Sequence, residues 1–446
     1  MGMNAQPAYH SGNRGQPAAG IRTMKVLLMH RGDGHAGGGQ IQMNRLREGL
    51  VTSGIEARIL CRDATQKDSV PMPSRPHVEK FLRRITRRVG LHDIHLLSSF
   101  DVPRMEEFKS ADLIDIHCTH SATLSYLALP RITAHKPTVF TFHDMWPITG
   151  HCHASIDCEK WKTGCGHCPY PLTEPAIRRD YTAIEWRLKN RAYHRSKFTI
   201  VTPSKWLRDA VRHSMLNTFD VRHIPHGIDT DVYQPFDKAL ARSLLNLPLD
   251  KKILIFGAET MKRPLKGADL LVLALQRLPD SLKQQLVLLV FGNASEGIVN
   301  EIGIPSIQLG YLQSDRMKVL AFSAADLFIH PSRAENSPLV ILESMACGTP
   351  VASFAVGGVP ELVREGITGQ LAKPEHACDL SRVIEEMISN PEAIQTMAQN
   401  CREIVVKEYP ISLQTKRTID LYHRLIAEDR DSSLYHALRP STTAIH

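Results

Sequence analysis

The stretch A-F-S-A-A-D-L-F-I-H-P-S-R-A-E-N-S-P-L-V-I-L-E-S-M-A-C-G-T-P-V, from Ala321 to Val351, restricts the fold more than any other part of the chain. Leu327-Phe328-Ile329 is an apolar run of strand type, and His330 to Asn336 is a polar loop. Ser337 suits a helix N-cap and Pro338 the first helical position, where a missing N–H costs nothing. Leu339 to Ala346 reads as a buried helix, stopped by Gly348 and Pro350, with a strand resuming near Val351 to Ser353. Such a unit aims the unpaired N–H groups of the helix at the preceding loop, and that end takes an anion, phosphate above all. Glu335 in the loop and Glu343 on the helix frame it. A carboxylate among Ile341, Leu342 and Met345 is uncommon without a partner, and a sugar hydroxyl would be one.

The same alternation runs through the chain. Lys25 to His30 is a short apolar strand that enters R-G-D-G-H-A-G-G-G-Q, followed by a helix from about Ile41 to Val51 and a strand near Ala57 to Cys61. Asp112 to His117, Thr138 to Phe142 and Phe198 to Val201 read as parallel strands. A second series starts at Ile253 to Phe256 and continues through a helix at Lys266 to Arg277 and a strand at Leu286 to Phe291. With 446 residues, two α/β domains are expected, both doubly wound and Rossmann-like. The boundaries are a disordered leader over 1–22, a first domain over 23–220 with a cysteine-rich insertion at 150–170, and a junction over 221–235. A second domain covers 236–408, a helix over 409–428 packs back towards the first domain, and 429–446 is a tail. Ligands bind at the carboxyl ends of such strands. The Gly37–Gly39 loop, His143, Lys266 and Glu335 all fall there.

Composition excludes several classes. With 43% hydrophobic and 22% charged residues the chain is of ordinary soluble type, and no apolar run reaches the roughly 18 residues needed to span a bilayer. The first 20 residues lack the apolar core of a secretory signal, so a cytoplasmic protein is expected. Net charge is +8, and Arg75, Lys80, Arg83, Arg84, Arg87 and Arg88 cluster around Phe81, Leu82, Ile85 and Val89. At helical spacing this is a basic, partly apolar face; it reads either as a solvated surface or as a peripheral contact with anionic lipid at the inner face of the membrane. No nucleic-acid motif accompanies the charge.

E-N-S-P-L-V-I-L-E, from Glu335 to Glu343, resembles the two-glutamate signature of retaining glycosyltransferases of family 4, which have the GT-B fold. The likeness extends to G-Y-L at Gly310, Tyr311 and Leu312, to G-G-V-P-E at Gly357 to Glu361, to H-G-I-D-T-D-V-Y-Q-P in the junction, and to T-F-H-D-M-W-P at Thr141 to Pro147. The last run, followed by the cysteines, is similar to bacterial exopolysaccharide and colanic-acid enzymes. The resemblance implies transfer of a sugar from a nucleoside-diphosphate donor to a lipid-linked or saccharide acceptor, in exopolysaccharide or lipopolysaccharide assembly, with no cofactor required. It implies Glu335 beside the donor sugar, Glu343 on the ribose, and backbone N–H groups of Asn336, Ser337 and Leu339 on sugar and phosphate, Pro338 having none. Lys266 would hold the diphosphate, Gly310 to Leu312 would border the base, and Gly38, Gly39 and His143 would face the sugar from the other domain. The arginine that the family places shortly before its lysine is absent, with Ala258 and Glu259 in its place and Lys262 and Arg263 further along; either Arg263 substitutes or Lys266 holds the phosphate alone. Two other readings are a nucleotide-sugar-binding protein without transfer and an epimerase of the same architecture.

Cys152, Cys158, Cys165 and Cys168 fall close together, the last two in C-G-H-C-P, the form of half a zinc knuckle. Structural zinc, free buried thiols and a redox pair at Cys165 and Cys168 all fit this spacing. His151, His153 and His167 are candidate substitutes for one thiolate.

Overall fold

The computed structural model describes residues 23–34, 37–260, 263–293 and 301–438. The leader expected over 1–22 lies outside them, as do the last eight residues of the tail.

The first domain is a seven-stranded parallel sheet in the order β3-β2-β1-β4-β5-β6-β7. Its strands are Lys25–Gly32 (β1), Glu56–Asp63 (β2), Val70–Pro71 (β3), Leu113–Ile116 (β4), Thr138–Thr141 (β5), Thr199–Thr202 (β6) and Val221–His223 (β7). The second is a six-stranded parallel sheet in the order β10-β9-β8-β11-β12-β13. It comprises Lys252–Thr260 (β8), Leu286–Asn293 (β9), Ser306–Gln308 (β10), Leu327–His330 (β11), Val351–Phe354 (β12) and Gly369–Ala372 (β13). β4, β5, β6, β11 and β12 are buried at every residue, as strands with helices on both faces must be. Strand order reverses beside β1 in one sheet and beside β8 in the other, so each sheet opens a crevice at its carboxyl edge.

Two chain segments cross between the domains and pair with each other. Ile228 N donates to Tyr409 O (2.9 Å), and Ile411 N donates to Ile228 O (2.9 Å). The C-terminal helix Ile411–Leu438 then lies on the first domain. Leu421 and Tyr422 join its core, Tyr422 OH donates to Asp115 Oδ2 (2.5 Å), and Gly49 of the helix Gly38–Thr52 packs against Thr415. The helix takes in 429–438, the first ten residues of the expected tail, because no glycine or proline interrupts it before Pro440.

Local differences have simple causes. The first helix begins at Gly38 rather than Ile41, with Gly37 at φ +79° turning the chain into it. The helix Leu339–Ala346 starts one residue after Pro338, which holds the cap position; Ser337 makes no side-chain cap. The helix that follows the cysteine-rich insertion spans Thr182–Tyr193.

Candidate functional site

The residues singled out from the sequence gather in the cleft between the two sheets. Gly38, Gly39, His143, Arg263, Lys266, Tyr311, Leu312, Glu335, Asn336, Ser337, Pro338, Leu339 and Glu343 all line one cavity of about 360 Å³. Gly310, at φ +65°, forms the turn that presents Tyr311 and accepts a hydrogen bond from Gly292 N (2.8 Å). A wider hollow of about 850 Å³ lies beyond Ser337. There Arg364 is paired with Glu408 (2.6 Å) and Glu361 caps a helix, so those charges already have protein partners.

One end of the cavity is built around Glu335. Lys266 Nζ donates to Glu335 Oε1 at 2.7 Å, and His330 Nε2 stands 3.5 Å from the same oxygen. Burial alone would raise the Glu335 carboxyl; Lys266 and His330 outweigh it and hold the group well below the ordinary carboxylate range. Two glycines make this loop geometry accessible. Gly267, after P-L-K, sits at φ +67°, where a Cβ would come 1.8 Å from Pro331 O; Gly357, at φ +53°, would bring one 1.8 Å from Glu335 O. Both positions therefore require glycine, and the G-G-V-P-E run is a floor under the Glu335 loop.

The other end is built around Glu343. Its Oε1 takes Arg45 Nη2 at 3.0 Å, Tyr233 OH at 3.2 Å and Lys318 Nζ at 3.4 Å, while the Tyr233 hydroxyl also lies 2.6 Å from Asp315 Oδ1. The buried carboxylate thus has protein partners, where the sequence suggested only a sugar hydroxyl. Arg45, Tyr233 and Lys318 were missed. Arg45 and Lys318 sit on helices with nothing beside them to mark a role, whereas Tyr233 belongs to the junction motif and was within reach. Between the two ends lies the start of Leu339–Ala346, whose first N–H groups face the cavity without a side-chain cap.

The facing wall is histidine-rich. His143 stacks between His117 (ring centroids 5.3 Å) and His226 (5.4 Å), and its Nε2 lies 3.0 Å from His117 Nδ1. Burial, then the neighbouring His117, His226, His30 and His120, keep His143 neutral, far below the ordinary histidine value. A Cβ on Gly39 would lie 3.2 Å from the His143 ring, so the glycine loop covers it closely. Gly32, Gly34 and Gly37 of this loop do fall at dinucleotide spacing, which corrects the expectation that the loop lacks that pattern. Its interior is taken by protein groups: Asp33 accepts from Thr65 N and Gln66 N (both 2.7 Å), and Asn44 Nδ2 donates to Gly34 O (2.6 Å).

The two walls are joined by polar contacts of Asn336 and Glu361, each inside one of the motifs quoted from the sequence. Asn336 Nδ2 donates to His143 O (2.9 Å), and Ser204 Oγ donates to Asn336 Oδ1 (2.5 Å). Glu361 accepts from Lys205 N (2.9 Å) and Trp206 N (2.8 Å), capping the helix Lys205–Arg212 from the other domain. Arg263 lies across the cleft from Glu174, at 3.4 Å. Lys262 falls outside the described residues.

Comparison with known proteins fits this geometry. The family described as "Glycosyltransferase Family 4" matches residues 36–232, and that described as "Glycosyl transferases group 1" matches 237–404. The chain belongs to the family-4 glycosyltransferases. Its architecture is GT-B, and its class of activity is glycosyl transfer. It is similar to D-inositol 3-phosphate glycosyltransferase of Mycolicibacterium smegmatis, at 26% identity over 95% of this chain and 94% of that one. The Mycolicibacterium paratuberculosis protein of the same name is 28% identical over 78% of each. Among solved structures, sucrose-phosphate synthase of Thermosynechococcus elongatus superposes with a TM-score of 0.68 at 21% identity, over 91% of this chain and all of that one. HepE of Anabaena, in complex with UDP and glucose, gives 0.64 at 18% identity, over 89% and 99%.

The four cysteines of this glycosyltransferase are reduced and half-buried. Cys165 Sγ accepts from Gly150 N (3.2 Å), and Cys168 Sγ lies 3.2 Å from His151 Nε2. Among the described residues no three of their sulfurs come within 4.8 Å of one another. As placed, they are not a closed tetrahedral set.

Proposed function

We propose that this glycosyltransferase retains anomeric configuration and uses a nucleoside-diphosphate sugar as donor. The observation that carries the reading is the spacing of charge along one cavity: Glu335 with Lys266 at one end, Glu343 at the other, a helix N-terminus between. The diphosphate lies across the first N–H groups of Leu339–Ala346 with Lys266 beside it. A cation and a helix end placed there stabilise the negative charge that grows on the leaving group. Glu343, oriented by Arg45, Tyr233 and Lys318, takes the ribose hydroxyls. Ionised Glu335 lies against the sugar, and neutral His143 serves as a hydrogen-bond partner rather than an acid. The bond between the anomeric carbon and the phosphate oxygen breaks as the acceptor oxygen attacks the same face. The acceptor proton passes to the departing diphosphate oxygen, giving glycoside and free nucleoside diphosphate. The UDP named in the HepE structures supports this class of donor.

The acceptor in this reading is lipid-linked or a growing saccharide, as in exopolysaccharide or lipopolysaccharide assembly. Support comes from the helix Pro76–Arg88, which exposes Lys80, Arg83, Arg84, Arg87 and Arg88 with Phe81 (62% exposed) and Ile85 (47%) among them. Such a face suits an anionic bilayer surface on the cytoplasmic side. No helix among the described residues is long and apolar enough to cross a membrane. The cysteine spacing supports a separate structural zinc on Cys152, Cys158, Cys165 and Cys168, away from the transfer chemistry. Metal content of a Cys165→Ser/Cys168→Ser variant tests it.

The deciding experiment screens UDP- and GDP-sugars against membrane extract and reads the anomeric configuration of the product by NMR. Transfer with the donor's configuration kept supports the proposal; inversion, or no turnover and no nucleotide binding, ends it.

A further inference from the structure

The loops that follow β4 and β5 carry a second set of side chains that the transfer chemistry does not use. His120, Asp144 and His153 each bring one ligand atom within 4.8 Å of the other two. We propose that these three bind a divalent metal ion of the borderline class, with coordination positions left open to the acceptor side of the cleft.

The separations are already close to those of a bound site. Metal–nitrogen and metal–oxygen bonds of about 2.0–2.1 Å put tetrahedral neighbours about 3.4 Å apart. His120 Nε2 and Asp144 Oδ2 stand 3.4 Å apart, and the His120 and His153 rings are 4.6 Å apart at 52°. The third ligand is ready, since His153 Nε2 is buried and makes no hydrogen bond. A buried imidazole nitrogen left this way is uncommon without a partner.

The supports expected behind metal ligands are also present. Asp144 Oδ1 accepts from Trp146 N (2.8 Å), which turns Oδ2 towards His120. His120 Nδ1 lies 3.5 Å from Cys118 Sγ, so the nitrogen opposite the proposed bond is engaged. Met145 N donates to His153 O (2.9 Å), fixing His153 beside Asp144 across eight residues of chain. Beneath them Lys189 Nζ donates to Trp146 O (2.7 Å) and Thr149 O (3.0 Å) and lies 3.2 Å from the Trp146 ring centroid. The loop is therefore held from below, as a preformed site requires.

Two imidazoles and one carboxylate favour zinc, cobalt, nickel or ferrous iron over magnesium or calcium. Three protein ligands leave at least one position for water or a ligand oxygen. That position faces a cavity of about 660 Å³ also lined by His117, His143 and Glu174. Use of the open position by an acceptor oxygen rests on the transfer reading; metal binding does not.

The test is titration of Co(II) into the full chain, purified without a polyhistidine tag and stripped by chelation, followed by absorption and calorimetry. One Co(II) per chain is expected to persist in the Cys165→Ser/Cys168→Ser variant, with no thiolate-to-cobalt charge-transfer band. His120→Ala and His153→Ala should each weaken binding about tenfold or more. Should either fail to fold, Asp144→Asn carries the same expectation, with thermal melting as the check on folding. Absence of Co(II) uptake, uptake that vanishes with the cysteines, or unchanged affinity in the histidine variants overturns the proposal.

Discussion

Replacing Lys266 by Met removes the cation from Glu335 while keeping the length and apolar stem of the side chain. The pair is close, 2.7 Å, with side-chain exposures of 30% for Lys266 and 12% for Glu335. At an effective dielectric of about 20 the gross attraction is about 6 kcal/mol. Desolvation offsets part of it, and stripping one partner from a buried pair costs about 3–5 kcal/mol. Lys266 is partly solvated, so a loss near the lower bound, about 3 kcal/mol, is expected in denaturant unfolding. Glu335 would then lie in a buried site with His330 alone, and its carboxyl would move up. The double variant Lys266→Met/Glu335→Gln removes the stranded charge and should recover most of that stability. It should not recover activity, because the leaving diphosphate still lacks its cation; turnover should stay down by about 10²–10³ in both variants. Unfolding curves and initial transfer rates on the single variants and the double variant give the cycle. Stability losses that simply add, or a Lys266→Met enzyme within about threefold of wild type, would refute the reasoning.

Arg45→Met removes the first-domain cation that holds Glu343. Nucleotide affinity should fall about 5- to 30-fold, the equivalent of about 1–2 kcal/mol, as read by calorimetry. Gly357→Ala forces a Cβ into Glu335 O at a φ of +53°. It should cost about 1–3 kcal/mol and at least tenfold in turnover, with the melting temperature and rate falling together. Acid should destabilise the chain through its buried neutral histidines. Burial, with His117 and Arg45 nearby, lowers His226 to about 3, and burial with His117 and His120 does the same to His30. A histidine held below its ordinary value gives stability that is complete above pH 6.5 and lost as the pH falls towards 3. Denaturant midpoints should therefore drop steadily between pH 6.5 and 4, and the drop should shrink in His226→Gln. Reversal of charge at Arg83, Arg84, Arg87 and Arg88 should abolish sedimentation with anionic vesicles and leave nucleotide binding unchanged.

The sheets were legible because parallel strands buried on both faces leave apolar runs, as Leu327-Phe328-Ile329 and Leu286 to Phe291 do. The Glu335–Glu343 unit was legible because strand, polar loop, proline and helix are each local signals. The pairing of Glu343 with Arg45, 298 positions earlier in the chain, was not, since nothing in sequence spacing reports a contact made by docking two domains. The contacts of Ser204 and Glu361 were hidden for the same reason: each completes a hydrogen bond that exists only once the sheets face each other. The Ser337 cap was misplaced because Pro338 fits either the cap or the first helical position, and local propensity does not choose between them.

The central claim is that Glu343 reads the ribose of a donor whose diphosphate lies on the adjacent helix end. Calorimetric titration of UDP and GDP, each beside its 2′,3′-dideoxyribose counterpart, into the wild type and Glu343→Ala tests it most directly. The wild type should bind the ribonucleotide at least about tenfold more tightly than the dideoxy form, and Glu343→Ala should bind the two alike. Equal binding of both forms by the wild type, or full discrimination by Glu343→Ala, would contradict it.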